Sequence, residues 1–185
     1  MYLGERIMIL GSAGSGKSTL AARLGEITDI PVIHLDRIFW NPGRVETPGE
    51  EMTLKAMEAA ASERWIMDGN YSATLDLRIE RADTIIFIDF SRFLCIFRAL
   101  KRRIENHGKT RFDLAEGCIE KIDLPFLKWI WGYPKRSRKN IIDKIENSGK
   151  SVYHLKTRKD VSYFIDNIRA GYMMKRIYYD RSIRK

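Results

Sequence analysis

Cysteine, histidine and long apolar runs are all scarce in this chain. Only two cysteines, Cys95 and Cys118, occur in 185 residues. Two thiols build neither a disulfide framework nor a metal-ligand cluster, and they predict a reduced, cytoplasmic protein. The three histidines, His34, His107 and His154, stand far apart, with none at zinc spacing. No apolar run approaches the ~18 residues that a membrane helix needs, so no membrane partner is expected. Glu5 and Arg6 precede only a short apolar stretch at 7–10, which is not the shape of a signal peptide. Internal repeats and low-complexity tracts are also missing.

What is present is globular composition: 44% hydrophobic and 31% charged residues, at a length typical of one domain. The formal net charge is +9. That total hides an asymmetry. Residues 1–90 carry 9 basic and 14 acidic side chains, a net of −5, whereas residues 91–185 carry 24 and 10, a net of +14. A basic half calls for an anionic partner such as a phosphate ligand or a nucleic acid.

Short apolar runs alternate with longer amphipathic stretches, the pattern of an α/β fold. Strands are predicted at 6–10, 31–34, 65–67, 84–88 and 152–155. They are apolar on both faces, as parallel strands under helices are. Thr47-Pro48-Gly49-Glu50 reads as a capping box opening a helix at 48–61. Phe93, Ile96, Phe97, Leu100 and Ile104 recur at helical spacing, which predicts one buried stripe with Arg98, Lys101 and Arg102 opposite. Asn106-His107-Gly108 should stop that helix, and 108–123 read as irregular and mobile. Asp123 should cap a helix carrying Pro125, with a break or kink at Gly132 and Pro134. A basic helix then resumes through Ile141 and Ile145 to Ser148-Gly149. The last helix is expected at about 160–168, followed by a basic tail at 171–185. One domain is therefore expected over 1–170.

The strongest signal is Gly11-Ser12-Ala13-Gly14-Ser15-Gly16-Lys17-Ser18, which fits the phosphate-binding loop G-x-x-x-x-G-K-[ST] at every fixed position. Its setting supports it: an apolar strand precedes the loop and a helix opens at Thr19. Glycines let consecutive N–H groups curl toward a phosphate, and the helix N-terminus adds its positive dipole end. Lys17 would sit between the β- and γ-phosphates, and Ser18 would offer a hydroxyl to Mg²⁺. ATP and Mg²⁺ are the cofactors this loop implies.

Such a loop needs an acid near the metal, and three stand at strand ends: Asp36, Asp68 and Asp89. Asp68, followed by a glycine that turns the chain away, suits the metal best. Asp89 suits the cap of the helix beginning at 91 or 92. Asp36 lies in His34-Leu35-Asp36-Arg37-Ile38-Phe39-Trp40 and would orient or deprotonate an acceptor hydroxyl. Arg37 would bind an anionic group, and Trp40, Asn70 and Tyr71 would line the pocket. Arg98 and Arg102, one helical turn apart, would grip phosphate oxygens. Lys135-Arg136-Ser137-Arg138-Lys139, near Trp129, Trp131 and Tyr133, offers a nucleic-acid surface. That reading is not favoured, because no nucleic-acid motif is present and the aromatics fall at the spacing of core residues. Arg136 or Arg138 could equally reach the phosphate site.

The loop, the second strand and Trp65-Ile66-Met67-Asp68-Gly69-Asn70 resemble the adenylate-kinase group of P-loop kinases. Over nearly the whole chain, to about residue 169, the sequence resembles the FlaR-like DNA topology modulation proteins. The strings that carry this are residues 32–40, Asp68-Gly69-Asn70-Tyr71-Ser72, Lys109-Thr110-Arg111, Ala115-Glu116-Gly117-Cys118 and residues 126–131. The resemblance implies a five-stranded parallel sheet in the order 2-3-1-4-5, flanked by helices. It also implies a mobile arginine-bearing lid at about 98–140, in which Arg98, Arg102, Lys109 and Arg111 fall. The expected activity is transfer of the γ-phosphoryl of ATP to a small acceptor. Lys17, Asp36, Arg98 and Arg102 would be its catalytic residues and Ser18 and Asp68 its metal ligands. The competing expectation is an ATP-gated regulator that modulates DNA topology directly or through partners.

Overall fold

The computed structural model of the chain describes residues 3–105, 113 and 123–183. Five parallel strands are numbered in chain order: β1 (Arg6–Gly11), β2 (Val32–His34), β3 (Trp65–Asp68), β4 (Thr84–Ile88) and β5 (Ser151–Leu155). They lie in the order 2-3-1-4-5. The order expected from the resemblance is therefore the observed one. The connections are made by α1 (Lys17–Thr28), α2 (Leu35–Phe39), α3 (Gly49–Ala61), α4 (Leu75–Arg81), α5 (Arg92–Glu105), α6 (Leu124–Tyr133) and α7 (Lys139–Glu146), and α8 (Arg158–Ile183) follows β5.

The two-residue period of β1 divides the core. Ile7 and Ile9 face a layer containing Leu20 and Leu24 of α1, Cys95 and Ala99 of α5, and Phe164 and Ile168 of α8. Met8 and Leu10 face the other layer, with Met52 and Ala56 of α3, Ile79 of α4, and Ile141 and Ile145 of α7. The inner strands β3 and β4 are buried along their full length, whereas β5, at the edge, buries only Leu155. Central strands thus read as continuous apolar runs because helices cover both faces.

Several local expectations change. α3 begins at Gly49, with Pro48 at the cap position and no side-chain cap. The Thr47 hydroxyl instead donates to the Ile38 carbonyl and accepts from Asn41. That contact holds an unforeseen ladder of two residues each, Trp40–Asn41 against Val45–Glu46. Asp123 does cap α6, accepting from the Phe126 amide at 2.9 Å. Gly132 and Pro134 do not break the chain's helical course. A π-helical turn, Pro134–Arg138, runs straight into α7. Nor does the last helix stop near 168: α8 continues through Gly171 to Ile183. Asn106, His107, Gly108 and the stretches 106–112 and 114–122 lie outside the described residues.

The largest reversal is on α5. Phe93, Phe97, Leu100 and Ile104 are exposed, at 41% to 78% of their surface, while Cys95 and Ala99 are buried. The helix turns its small residues inward and, of the expected stripe, leaves only Ile96 packed against the core. On α6, Ile130 and Tyr133 are buried, but Trp129 and Trp131 are not.

Strands β3 and β4 flank β1 on opposite sides, so the connections leaving β1 and β4 run in opposite senses across the sheet. In open parallel sheets, ligands bind at the carboxyl ends of the strands where the order reverses. Here that edge carries the glycine loop, His34, Asp68 and Asp89.

Candidate active site

The glycine loop joins β1 to α1. Gly14 and Gly16 hold φ angles of 78° and 98°, conformations that L side chains rarely adopt. A Cβ at Gly14 would also collide with the Cys95 carbonyl of α5. The first turn of α1 carries no acidic side chain, and its N-cap, Gly16, provides no side-chain cap. Its N–H groups are left for an anion. Ser15 is 1% exposed, and its buried hydroxyl has no protein hydrogen-bond partner. The Ser12 hydroxyl meets nothing better than the Cys95 thiol. Buried hydroxyls of this kind are normally satisfied, and a phosphate oxygen would satisfy them. Lys17 folds back over the loop, its Nζ donating to the Ser12 carbonyl at 3.0 Å.

The Ser18 hydroxyl donates to Asp68 Oδ2 at 2.8 Å. Asp68 is 5% exposed at the end of β3, and its other oxygen accepts from His34 Nδ1 at 2.5 Å. Two of the three acids end strands that pair directly with β1: Asp68 on β3, with Ile9 opposite it, and Asp89 just after β4. Only Asp68 has its carboxylate on the helix that the loop opens, through Ser18. Ser18 and Asp68 present hard oxygen donors, the kind Mg²⁺ takes. Among the described residues, no group of three or more His, Cys, Asp or Glu side chains is placed to hold a metal unaided.

Asp36 lies in α2, where it accepts from the Tyr71 hydroxyl at 3.0 Å. Burial raises its pKa, Lys17 opposes the rise, and Asp68 and Asp113 add to it. Burial likewise pulls Lys17 below the usual ammonium range, against the attraction of Asp36 and Asp68. Burial and the neighbouring Asp36 push the Tyr71 phenol far up, so it remains the donor. Phe39 packs on Trp40 and on Tyr71, with centroids 4.7 and 5.0 Å away, so an aromatic wall stands beside the carboxylate. Arg37 is exposed.

Asn70 is tied to the glycine loop. Its side-chain oxygen accepts from the Gly11 amide at 3.1 Å and its nitrogen donates to the Gly11 carbonyl at 2.9 Å. It brackets the first glycine of the loop. The loop 69–71 is itself held by Arg78, which is wholly buried and bonded to the carbonyls of Gly69, Asn70 and Tyr71.

Arg98 and Arg102 both come to the loop. The Arg98 guanidinium lies against Gly16, 2.8 Å from where a Cβ would stand, and Arg102 is near enough to Lys17 to lower its pKa. Beside the loop opens a cavity of about 180 Å³, lined by Ser15, Gly16, Thr19, Arg23, Arg98 and Arg158 among others. Asp89 does not cap α5. Ser91 does so, accepting from the Leu94 amide. Asp89 instead receives Arg138 through both oxygens, at 2.7 and 2.6 Å, and His154 at 2.8 Å. Burial opposes its ionisation, but these partners outweigh that and hold its pKa down. Arg136 folds over the Trp129 ring at 4.6 Å.

Sequence reasoning missed His34, Asp113, Arg78 and Arg158. His34 left one signal: it ends a strand two residues before Asp36. Asp113 left none, yet it is 1% exposed and close to Asp36. Lys109 and Arg111 lie outside the described residues.

No family model matches the chain, and no curated protein does. Solved structures do. A gluconokinase from Sinorhizobium meliloti 1021 superposes with a TM-score of 0.52 at 13% identity, over 97% of this chain and 99% of that one. A shikimate kinase from Acinetobacter baumannii, in complex with shikimate, gives 0.54 at 13% identity, over 89% and 90%. Another, from Bacteroides thetaiotaomicron, gives 0.52 at 16%, over 90% and 96%. The chain therefore has the α/β fold of P-loop kinases across nearly its whole length.

Proposed function

We propose that this protein is a kinase that transfers the γ-phosphoryl of ATP to a hydroxyl on a small acceptor, with Mg²⁺. One observation carries the reading. Residues 50 apart, Ser18 and Asp68, meet at 2.8 Å beside Lys17, and a second carboxylate, the half-buried Asp36, lies within the field of that same lysine. A pure nucleotide sensor needs the first pair but not the second acid.

The backbone of 11–17 and the Ser15 hydroxyl hold the phosphates, and Lys17 neutralises charge between the β and γ positions. Ser18 and Asp68 hold Mg²⁺, which when bound screens the phosphate oxygens from an incoming nucleophile. The cavity beside Gly16 and Thr19 takes the nucleoside. Arg98 and Arg102 face the phosphates from α5, in the place assigned to a lid. Asp36 orients the acceptor hydroxyl, with its carboxylate fixed by Tyr71. Its raised pKa brings it toward the range useful for accepting a proton. The rest is positioning and electrostatic stabilisation.

The FlaR-like resemblance falls on these same residues, 32–40 and 68–72. On this reading, an effect on DNA topology would follow from the kinase's product. Two of the basic residues that suggested a DNA surface have partners within the chain: Arg138 is held by Asp89, and Arg136 by Trp129.

The test is a thermal-shift screen with ATP, Mg²⁺ and candidate acceptors, followed by ADP release on the hits. A stabilising acceptor should trigger ADP release, and Lys17→Ala should abolish it. Equal ADP release by wild type and Lys17→Ala would sink the reading.

A further inference from the structure

The geometry points to His34 as a positioning residue that fixes the Asp68 carboxylate for Mg²⁺. This rests on the kinase reading above and adds a residue to it. In the parallel pairing of β2 with β3, His34 stands directly opposite Asp68 at the carboxyl edge of the sheet. Both side chains are nearly closed to solvent, at 8% and 6% exposure. His34 Nδ1 meets Asp68 Oδ1 at 2.5 Å, while Ser18 Oγ meets Oδ2 at 2.8 Å. The two oxygens are thus held from two different elements, β2 and α1.

That double grip matters because a carboxylate rotates easily. The terminal torsion of aspartate is broad and two-fold, so one hydrogen bond leaves the group free to swing. A donor on each oxygen removes that freedom. The contact also selects the imidazole tautomer, since Nδ1 must carry the proton it donates to a carboxylate. Each oxygen keeps a further acceptor position for the metal or its water. Histidine behind a metal-binding carboxylate is a second-layer contact of the kind whose loss weakens metal affinity by about 10- to 100-fold.

Two substitutions separate positioning from packing. In His34→Asn, the amide nitrogen falls where Nδ1 was, so the donor survives in a smaller side chain. In His34→Gln, size and polarity are kept, but the donor moves one bond further out. ATP affinity is measured by calorimetry on the full-length protein, first in EDTA and then across a Mg²⁺ titration. His34→Gln should need roughly 10-fold or more Mg²⁺ for half-maximal effect. Its affinity for metal-free ATP should stay within about two-fold of wild type, because the loop and Lys17 carry that term. His34→Asn should return the Mg²⁺ dependence to near the wild-type value.

An unchanged Mg²⁺ dependence in His34→Gln overturns the inference. So does an equal fall in both affinities, which would mark His34 as structural only. A wild-type protein that binds no ATP at all would fail the kinase reading itself and take this inference with it. A measurement on the wild type guards against a variant that does not fold. The Nδ1 proton of His34, observed by NMR in histidine-labelled protein, should shift when Mg²⁺ is added to the ATP-loaded state. A proton unmoved by Mg²⁺ would likewise overturn the inference.

Discussion

Arg78 offers the most demanding test of how the site is built. Its guanidinium is 0% exposed. It donates through Nε to the Thr74 hydroxyl at 3.0 Å, through Nη1 to the Gly69 carbonyl at 2.9 Å, and through Nη2 to the Asn70 and Tyr71 carbonyls at 2.6 and 3.0 Å. Burial pulls its pKa down to about 9, so at neutral pH it stays charged. Arg78→Met keeps the aliphatic stem, removes every donor and leaves the Gly69, Asn70 and Tyr71 carbonyls without their partner. Hydrogen bonds to a charged group contribute about 1.5–3 kcal/mol each, and relief of the buried charge offsets part of their loss. The net destabilisation should be about 3–5 kcal/mol, the range for breaking a buried charged contact. For a chain of this size each kcal/mol moves Tm by about 2–4 °C. A drop of about 6–20 °C is expected by calorimetry. Nucleotide affinity should fall as well, since the freed loop carries Asn70, the bracket on Gly11. Arg78→Lys keeps the charge but lacks the planar fork and should fall between. An Arg78→Met variant melting within about 2 °C of wild type would refute the carbonyl cage as the organiser of this loop.

Four further outcomes are expected. Asp36 has a folded-state pKa above its unfolded value, so its ionisation destabilises the fold as pH rises through the folded pKa. Asp36→Asn should therefore be more stable than wild type at pH 7–8 in urea titrations, the gap closing toward about pH 4, while ADP release is lost. Asp89 has the opposite sign: its lowered pKa means stability present above about pH 4 and lost as pH falls through the folded value. Asp89→Asn should lose about 1–3 kcal/mol at pH 7, a difference that vanishes in acid. Phe97→Ser and Ile104→Ser should each change stability by less than about 1 kcal/mol, where a buried stripe would lose about 2–5. Gly14→Ala should abolish nucleotide-induced stabilisation, because neither its φ nor the Cys95 carbonyl admits a Cβ.

The glycine loop and the sheet were legible because both depend on local chemistry. The loop needs particular residue types at consecutive positions, and a strand under two helical layers must be apolar throughout, as β3 and β4 are. The ends of the five strands were read to within one residue. Helix caps were harder, because a cap is a competition. Thr47 had the right spacing, but the Ile38 carbonyl and the Asn41 amide took its hydroxyl. Asp89 had the right place, but Arg138, 49 residues away, took its carboxylate.

By itself, the sequence determined that α5 is amphipathic and that three acids end strands near a phosphate loop. Only the tertiary structure decided which face of α5 turns inward and which acid meets the loop. The reason for the first is packing distance. Cys95 and Ala99 are small enough to let the α5 backbone touch Gly14, and that approach carries Arg98 to Gly16 while leaving Phe93, Phe97 and Ile104 outside. The reason for the second is competition for partners. β3 and β4 both flank β1, but the Asp89 carboxylate is taken by Arg138 and His154, whereas Asp68 meets Ser18. β2 lies beyond β3, so His34 reaches Asp68. Periodicity along a chain states that a helix has two faces and a strand has an end. The neighbour each one meets is set by contacts between segments far apart in sequence.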